Sequence, residues 1–410
     1  MNADGRPVAS AVRVALLTGG QDKSYALGMV EALTGQGFAV DYIGSDAVED
    51  PGLHRNPLVR VLNLRGSQDE RKPLTVKVGR LLRFYIRLAG YIVGEAPSLV
   101  HVLWHDKFEY LSRSLGMAFY RLLGKRVVYT AHNVNTARRD GRDSWLNRLT
   151  LWIQYRLASL VVVHTEGMRE ELKRDFGVAD DRILVVPFGI NDTTPRTGMS
   201  TGEARARLGL DPHHRLLLLF GQIAPYKGVI DLVRALPAIR RRAGAVRVVI
   251  AGKVKRGHED YWAEVRAAID ELGDDSVIVH NRFIPDEDVE KYFMAADAVV
   301  LPYRDIYQSG VPFLAYSFGL PVIATRVGAL PEAVQEGFSG CLAEPGSVDS
   351  LADAVVRFFE GSTYTSSRRR QEIRDWASRR HSWSAIGEQL ARAYHRVHSF
   401  QTAGARRPAW

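Results

Sequence analysis

A chain of 410 residues with 46% hydrophobic and 25% charged side chains is too long for one ordinary core and suits two domains of usual size, which excludes a disordered or fibrous protein. Its single cysteine, Cys341, excludes an internal disulfide and a cysteine-cluster metal site, and it fits a reducing, cytoplasmic compartment. The formal charge of +9 admits an anionic partner, but no zinc finger, RNA-recognition signature or basic-aromatic interleaving points to nucleic acid.

The first apolar run, VRVALLT, is short, lacks a small-residue cleavage pattern and leads into Gly19 and Gly20, so it reads as a strand and not as a signal peptide. Short β-branched runs then alternate with helix-length amphipathic segments. Strands are expected at 12–18, 40–43, 59–62, 99–103, 127–130, 160–163 and 183–186, then at 216–220, 246–251, 277–280, 298–301 and 322–324. This alternation calls for an α/β fold of parallel sheets covered by helices. Both halves open alike, with LLTGGQDKSYALGMVEAL and LLFGQIAPYKGVIDLVRAL each giving a strand, a glycine loop and a helix. Two Rossmann-like domains facing across a cleft are therefore expected, with ligands at the carboxyl ends of the strands.

The polar stretch NDTTPRTGMS at 191–200 marks the boundary. It gives an N-terminal domain over 1–193, a second domain over 194–381, and a helix over 382–400 returning to the first domain through Trp383, Ile386, Leu390, Ala393 and Val397. The terminal RRPAW is expected to fray. No stretch approaches the roughly 20 apolar residues of a spanning helix. The segment 78–93, VGRLLRFYIRLAGYIV, sets Arg80, Arg83 and Arg87 among apolar residues. It suits either a surface of anionic lipid or a helix packed on the sheet with its arginines outward.

Chemistry concentrates in two places. Gly221 follows a buried strand and Lys227 stands six positions on, near a helix start, where an ammonium can neutralise a departing diphosphate; the bland alternative is a solvated loop lysine. Residues 301–332, LPYRDIYQSGVPFLAYSFGLPVIATRVGALPE, read as strand, small-residue turn, helix start and second strand. The N–H groups of Ser309, Gly310 and Val311 can hold a phosphate there. Neither half carries GxGxxG or GxxxxGK[ST], the dinucleotide and P-loop fingerprints. Asp286-Glu287-Asp288 superficially resembles a metal-binding Asp-x-Asp, but it precedes an amphipathic VEKYFMAAD and reads as the acidic first turn of a helix.

GQIAPYKG, followed by YQSGVPFLAYSFGLPVIAT and GALPE, resembles the donor half of a GT-B glycosyltransferase, in particular the retaining glycosyltransferase family 4. LTGGQDKSYALGMVEAL, YTAHNVN, VVPFGIN and HSWSAIGEQL resemble that family's first glycine loop, acceptor-side histidine segment, interdomain stretch and crossover helix. The resemblance implies metal-independent transfer of a sugar from a nucleoside-diphosphate donor, with no cofactor besides that substrate. Gly221, Gln222 and Lys227 would contact the diphosphate, Gln308, Ser309, Gly310 and Val311 would cap it, Gly19 and Gly20 would approach it closely, and Glu332 would lie near sugar or ribose. His132 would sit beside the transferred sugar. The acceptor would be a carbohydrate, a lipid-linked sugar or a small molecule in cell-surface polysaccharide, glycolipid or other glycoconjugate synthesis, at the inner membrane face or in the cytoplasm.

The chain also departs from the family pattern. Gln222 stands where an arginine is common, and Ile306 and Leu314 occupy the positions of two usual glutamates, leaving Asp305 or Gln308 as the nearest polar candidates. These departures keep open a nucleotide-sugar-binding protein that has lost catalysis. An epimerase or hydrolase on the same architecture would need an acid/base pair that the sequence does not show.

Overall fold

The computed structural model describes residues 12–69, 73–106, 108–139, 141–190, 194–361 and 366–403. The expected frayed end, RRPAW, and residues Asn191, Asp192 and Thr193 of the expected boundary lie outside this set. The chain divides into two compact units, residues 1–189 with 382–410, and residues 190–381.

The first unit is built on seven strands: β1 (Arg13–Leu17), β2 (Ala39–Ile43), β3 (Val59–Leu62), β4 (Leu99–Val102), β5 (Arg126–Thr130), β6 (Leu160–Val163) and β7 (Ile183–Val185). They pair in parallel in the order β3-β2-β1-β4-β5-β6-β7. The second unit holds β8 (Arg215–Phe220), β9 (Val246–Ala251), β10 (Val277–His280), β11 (Ala298–Leu301), β12 (Val322–Thr325) and β13 (Gly340–Ala343). These too are parallel, in the order β10-β9-β8-β11-β12-β13. Helices cover both faces of a parallel sheet, so its strands read as unbroken apolar runs such as RLLLLF and VRVVIA.

In each sheet the strand order reverses once, between β1 and β4 and between β8 and β11. Loops leaving two such strands diverge to opposite faces and open a crevice at the strand ends. That topology places one candidate site in each unit.

The unit division falls after Gly189, four residues before the expected 193. Beyond it the chain is held to the second unit by Glu290, whose buried carboxylate accepts hydrogen bonds from the N–H groups of Thr197, Gly198 and Met199 and from the Thr197 hydroxyl. Burial would raise its pKa, yet these donors outweigh it and hold the carboxyl below its ordinary value. The stretch that reads as a linker is thus pinned to the helix Asp286–Ala295 of the second unit. The Ile190 N–H donates to the His381 carbonyl at 2.9 Å, so the two places where the chain changes unit lie side by side.

The helix Trp383–Ala403 packs along Lys23–Thr34. Contact is close because of two glycines: a Cβ on Gly28 would lie 1.9 Å from the Trp383 ring, and one on Gly387 would lie 2.3 Å from the Ala32 carbonyl. Trp383, Ile386, Leu390, Ala393 and Tyr394 join the core of the first unit. The Tyr394 hydroxyl meets His101 Nδ1 at 2.5 Å and thereby ties the helix to β4.

No helix among the described residues is long and apolar enough to cross a membrane. The helix Leu74–Gly94 buries Phe84, Leu88, Tyr91 and Ile92 but leaves Val78, Leu82 and Ile86 exposed, together with Arg83 and Arg87. Arg83 and Arg87 thus face outward among large apolar side chains, whereas Arg80 is partly buried and donates to the Ser67 carbonyl at 3.3 Å.

Candidate active site

In the second unit the loop after β8 begins at Gly221, whose φ of 105° suits glycine and whose N–H continues the sheet to the Ala251 carbonyl at 2.9 Å. It turns through the short helix Pro225–Lys227 and ends at Gly228, with φ 61°. A Cβ on Gly228 would lie 1.9 Å from the Pro302 carbonyl, so glycine alone lets this loop touch the one after β11. The two loops are locked together. Arg304 grips Asp231 through Nε and Nη2 at 2.7 and 2.6 Å, and its N–H donates to the Tyr226 carbonyl at 2.8 Å. Fork-to-fork pairing of this kind fixes direction as well as distance.

Lys227 is buried at 9% exposure. Its ammonium sits 3.8 Å from the centroid of the Tyr303 ring and 5.6 Å from that of Tyr226, and among the described residues it makes no ion pair or hydrogen bond. Lysines are seldom buried without a partner. Cation–π attraction of roughly 0.5–2 kcal/mol holds the charge in place without neutralising it. The solvated-loop alternative is therefore corrected. Lys255, on the loop after β9, adds a second ammonium 5.8 Å from the Tyr226 ring.

The loop after β11 runs to Gly310, which precedes the helix Val311–Ser317. A Cβ on Gly221 would come within 4.0 Å of Val311, so the first loop glycine faces this helix start. The Val311 N–H meets the Ser309 hydroxyl at 3.4 Å. Gln308 has a buried Oε1 with no hydrogen-bond partner. Gln222 is exposed beside Gly221, and Glu332 is exposed on the short helix Leu330–Ala333.

The first unit holds the other expected residues. Gly19 and Gly20 have φ of 61° and 69° and form the turn after β1. His132, after β5, stacks on Trp104 from the loop after β4, with centroids 4.1 Å apart and planes 6° from parallel. Tyr25 closes on its edge at 4.7 Å.

A chain of hydrogen bonds fixes the tautomer of His132. His164 Nδ1 lies 3.1 Å from the Val186 carbonyl, an acceptor only, so this nitrogen carries the proton. His164 Nε2 is then an acceptor, and His132 Nδ1, 3.2 Å away, must donate to it. The remaining His132 Nε2 presents a lone pair that no protein group uses. Burial, reinforced by the neighbouring imidazoles, keeps His132 well below its ordinary pKa, and burial brings His164 down to about 4. Both rings are neutral near pH 7.

A D-inositol 3-phosphate glycosyltransferase of Corynebacterium glutamicum (strain R) is 29% identical over 298 residues, covering 70% of this chain and 70% of its own. One from Pseudarthrobacter chlorophenolicus is 26% identical over 383 residues, 90% of this chain and 89% of its own. The fold is shared with sucrose-phosphate synthase from Thermosynechococcus elongatus, at TM-score 0.74 and 20% identity over 94% of this chain and 99% of that one. It is also shared with Anabaena HepE, solved in complex with UDP and glucose, at TM-score 0.71 and 20% identity over 94% of this chain and all of that one. Residues 22–194 match the family described as Glycosyltransferase Family 4, and residues 214–360 match Glycosyl transferases group 1. The chain belongs to the GT-B glycosyltransferases.

In this glycosyltransferase Ile306 and Leu314, where the resemblance led one to expect glutamates, are 7% and 8% exposed and join the apolar packing. Asp305 is exposed and Gln308 partly buried in the same loop. Asp286, Glu287 and Asp288 form the first turn of Asp286–Ala295, where Asp288 pairs with Arg282 and Lys291 at 2.9 and 2.7 Å. Sequence reading missed Tyr303, the Asp231–Arg304 clamp, Trp104 and His164. Its one available signal was the lone histidine ending β6, two strands from β4.

Proposed function

We propose that this glycosyltransferase moves a sugar from a nucleoside-diphosphate donor to an acceptor hydroxyl with retention of anomeric configuration and without a metal ion. The observation that carries this reading is the buried, unneutralised ammonium of Lys227, in the crevice where β8 and β11 diverge. A diphosphate supplies the missing counter-charge. HepE, solved with UDP-glucose, supports a nucleotide sugar as the donor class. Gly221 and Gln222 flank the diphosphate, and the N–H groups of Ser309, Gly310 and Val311 cap it. The Gln308 Oε1 accepts from a donor hydroxyl, and Glu332 lies near sugar or ribose. As the sugar–phosphate bond breaks, negative charge grows on the leaving phosphate, and the attraction of Lys227 grows with it. That fixed cation takes the place a metal would fill. In the first unit the free Nε2 of His132 accepts a hydrogen bond from a hydroxyl. The product's anomeric coupling constant, read by NMR, is expected to match that of the donor sugar. An inverted product would overturn retention, and donor binding without transfer to any acceptor would favour the binding-protein alternative.

The same reading places the enzyme at an anionic membrane surface in glycoconjugate synthesis. Val78, Leu82 and Ile86 beside Arg83 and Arg87 on the helix Leu74–Gly94 are the apolar-plus-basic surface that interfacial helices present. The protein is expected to sediment with vesicles containing phosphatidylglycerol and to stay in solution with phosphatidylcholine alone. Equal recovery with both would rule out the anionic surface.

A further inference from the structure

The crevice at the β1/β4 switch of the first unit opens into a cavity of about 420 Å³, within the ~300–1,000 Å³ range of small-molecule sites. Its walls are strongly unequal. One end is polar, formed by Gly19, Gly20, Arg65 and Asp106; the rest is apolar, with Phe84, Leu88, Phe119 and Tyr120 among its lining. Arg65 donates to the Gly19 carbonyl at 2.6 Å, and among the described residues no carboxylate lies within ion-pair distance of it. Asp106 is already committed, accepting from Tyr85, Ser112 and the Phe108 N–H at 2.6, 3.1 and 2.8 Å. Arg65 is the one arginine or lysine among the described residues of the lining, and the Asp106 charge reaches it only through space, so an anionic group is the direct partner its guanidinium lacks.

The apolar end does not close. Leu111 and Leu115 line the cavity and are yet 44% and 66% exposed, so its wall passes without a break into the apolar outer surface. This wall is the stretch 109–122, whose helix widens into a π turn at Ser112–Gly116. Such turns are frequent where a helix has been reshaped for a ligand. Trp104, which also lines the cavity, is the ring stacked on His132, so this wall of the cavity is shared with the imidazole's packing.

We propose that this cavity holds the chain of a single-chain alkyl or isoprenoid phosphate ester that carries the acceptor, its phosphate on Arg65 and its chain leaving past Leu115. The inference rests on the sugar-transfer reading, but a ligand-binding assay tests it without requiring transfer. Geranylgeranyl phosphate, titrated below its critical micelle concentration with intrinsic tryptophan fluorescence as readout, is expected to bind at least about tenfold more tightly than inorganic phosphate or D-inositol 3-phosphate. Ala89→Phe narrows the cavity and is expected to remove that advantage. Leu115→Asp, at an exposed position, does the same at the mouth and serves if the first variant unfolds. Arg65→Gln is expected to weaken the phosphate but leave binding of geranylgeraniol unchanged. UDP binding is expected in the wild type and unaltered in all three variants, so a wild type that binds the isoprenoid phosphate but not UDP tells against the sugar-transfer reading and not against the cavity. The proposal is overturned if the polar phosphates bind as tightly as the isoprenoid, if the cavity variants bind like the wild type, or if dioctanoyl phosphatidate binds more tightly than the single-chain ester, which would make the occupant a bilayer lipid.

Discussion

Replacing Lys227 by alanine is expected to lower kcat by about 100- to 1,000-fold, the usual loss when one preorganised charge is removed from a developing anion. The fall in kcat is expected to exceed the rise in donor KM. A donor diphosphate is already charged in the ground state, but it gains a further negative charge on leaving, so the ammonium is worth more in the transition state. The fold should survive, because the side chain contributes a cation–π contact and no hydrogen bond. Lys227→Arg is a useful partner: its planar guanidinium retains the charge but cannot hold the compact position above Tyr303, so partial activity is expected. Initial-rate kinetics with a circular-dichroism melt as control decide the matter, and a variant with near-normal kcat and intact melting would remove Lys227 from the mechanism.

The second large effect is expected far from the donor loops. Trp383→Ala should destabilise the first unit by about 3–5 kcal/mol, the range for deleting a buried aromatic ring. The ring fills the space over Gly28 and Gly189 and stands edge-on to Tyr25 at 5.3 Å. Tyr25 in turn packs on Trp104 and His132. Loss of the indole therefore loosens the wall that orients the His132 ring, and transfer should slow even where the protein remains folded. Urea unfolding followed separately for each unit is the appropriate measurement, because two compact units need not melt together. The transition of the first unit should shift while that of the second stays. An unmoved first transition would show that the helix Trp383–Ala403 adds little.

Sequence patterns disclosed most of both sheets for a physical reason: strands buried on two faces are apolar along nearly their whole length, as LVVV at β6 and AVVL at β11 are. The missed strand, β13, is only four residues long, reads GCLA and opens on a glycine. A Cβ at Gly340 would lie 1.8 Å from the Val322 carbonyl, so close approach to β12 dictates a residue with poor strand signal. The turns at Gly19, Gly20, Gly221 and Gly228 were legible because a positive φ follows from local geometry. The His132–His164 relay was not, since it joins the ends of β5 and β6 and depends on the Val186 carbonyl. The apolar cavity was hidden likewise: its lining is gathered from the ends of β1, β2 and β4 and from two helical stretches, each of which alone reads as ordinary core.

The return of the chain to its first unit bears on how the protein is made. A ribosome delivers residues 190–381, whose two ends are joined by the Ile190–His381 hydrogen bond, before it delivers the helix that covers Lys23–Thr34. Domains usually mature in the order of synthesis. Here the order is reversed: the second unit can finish while the first still exposes Tyr25, Gly28 and Ala32, and the nascent chain carries an uncovered apolar groove until its last turns emerge.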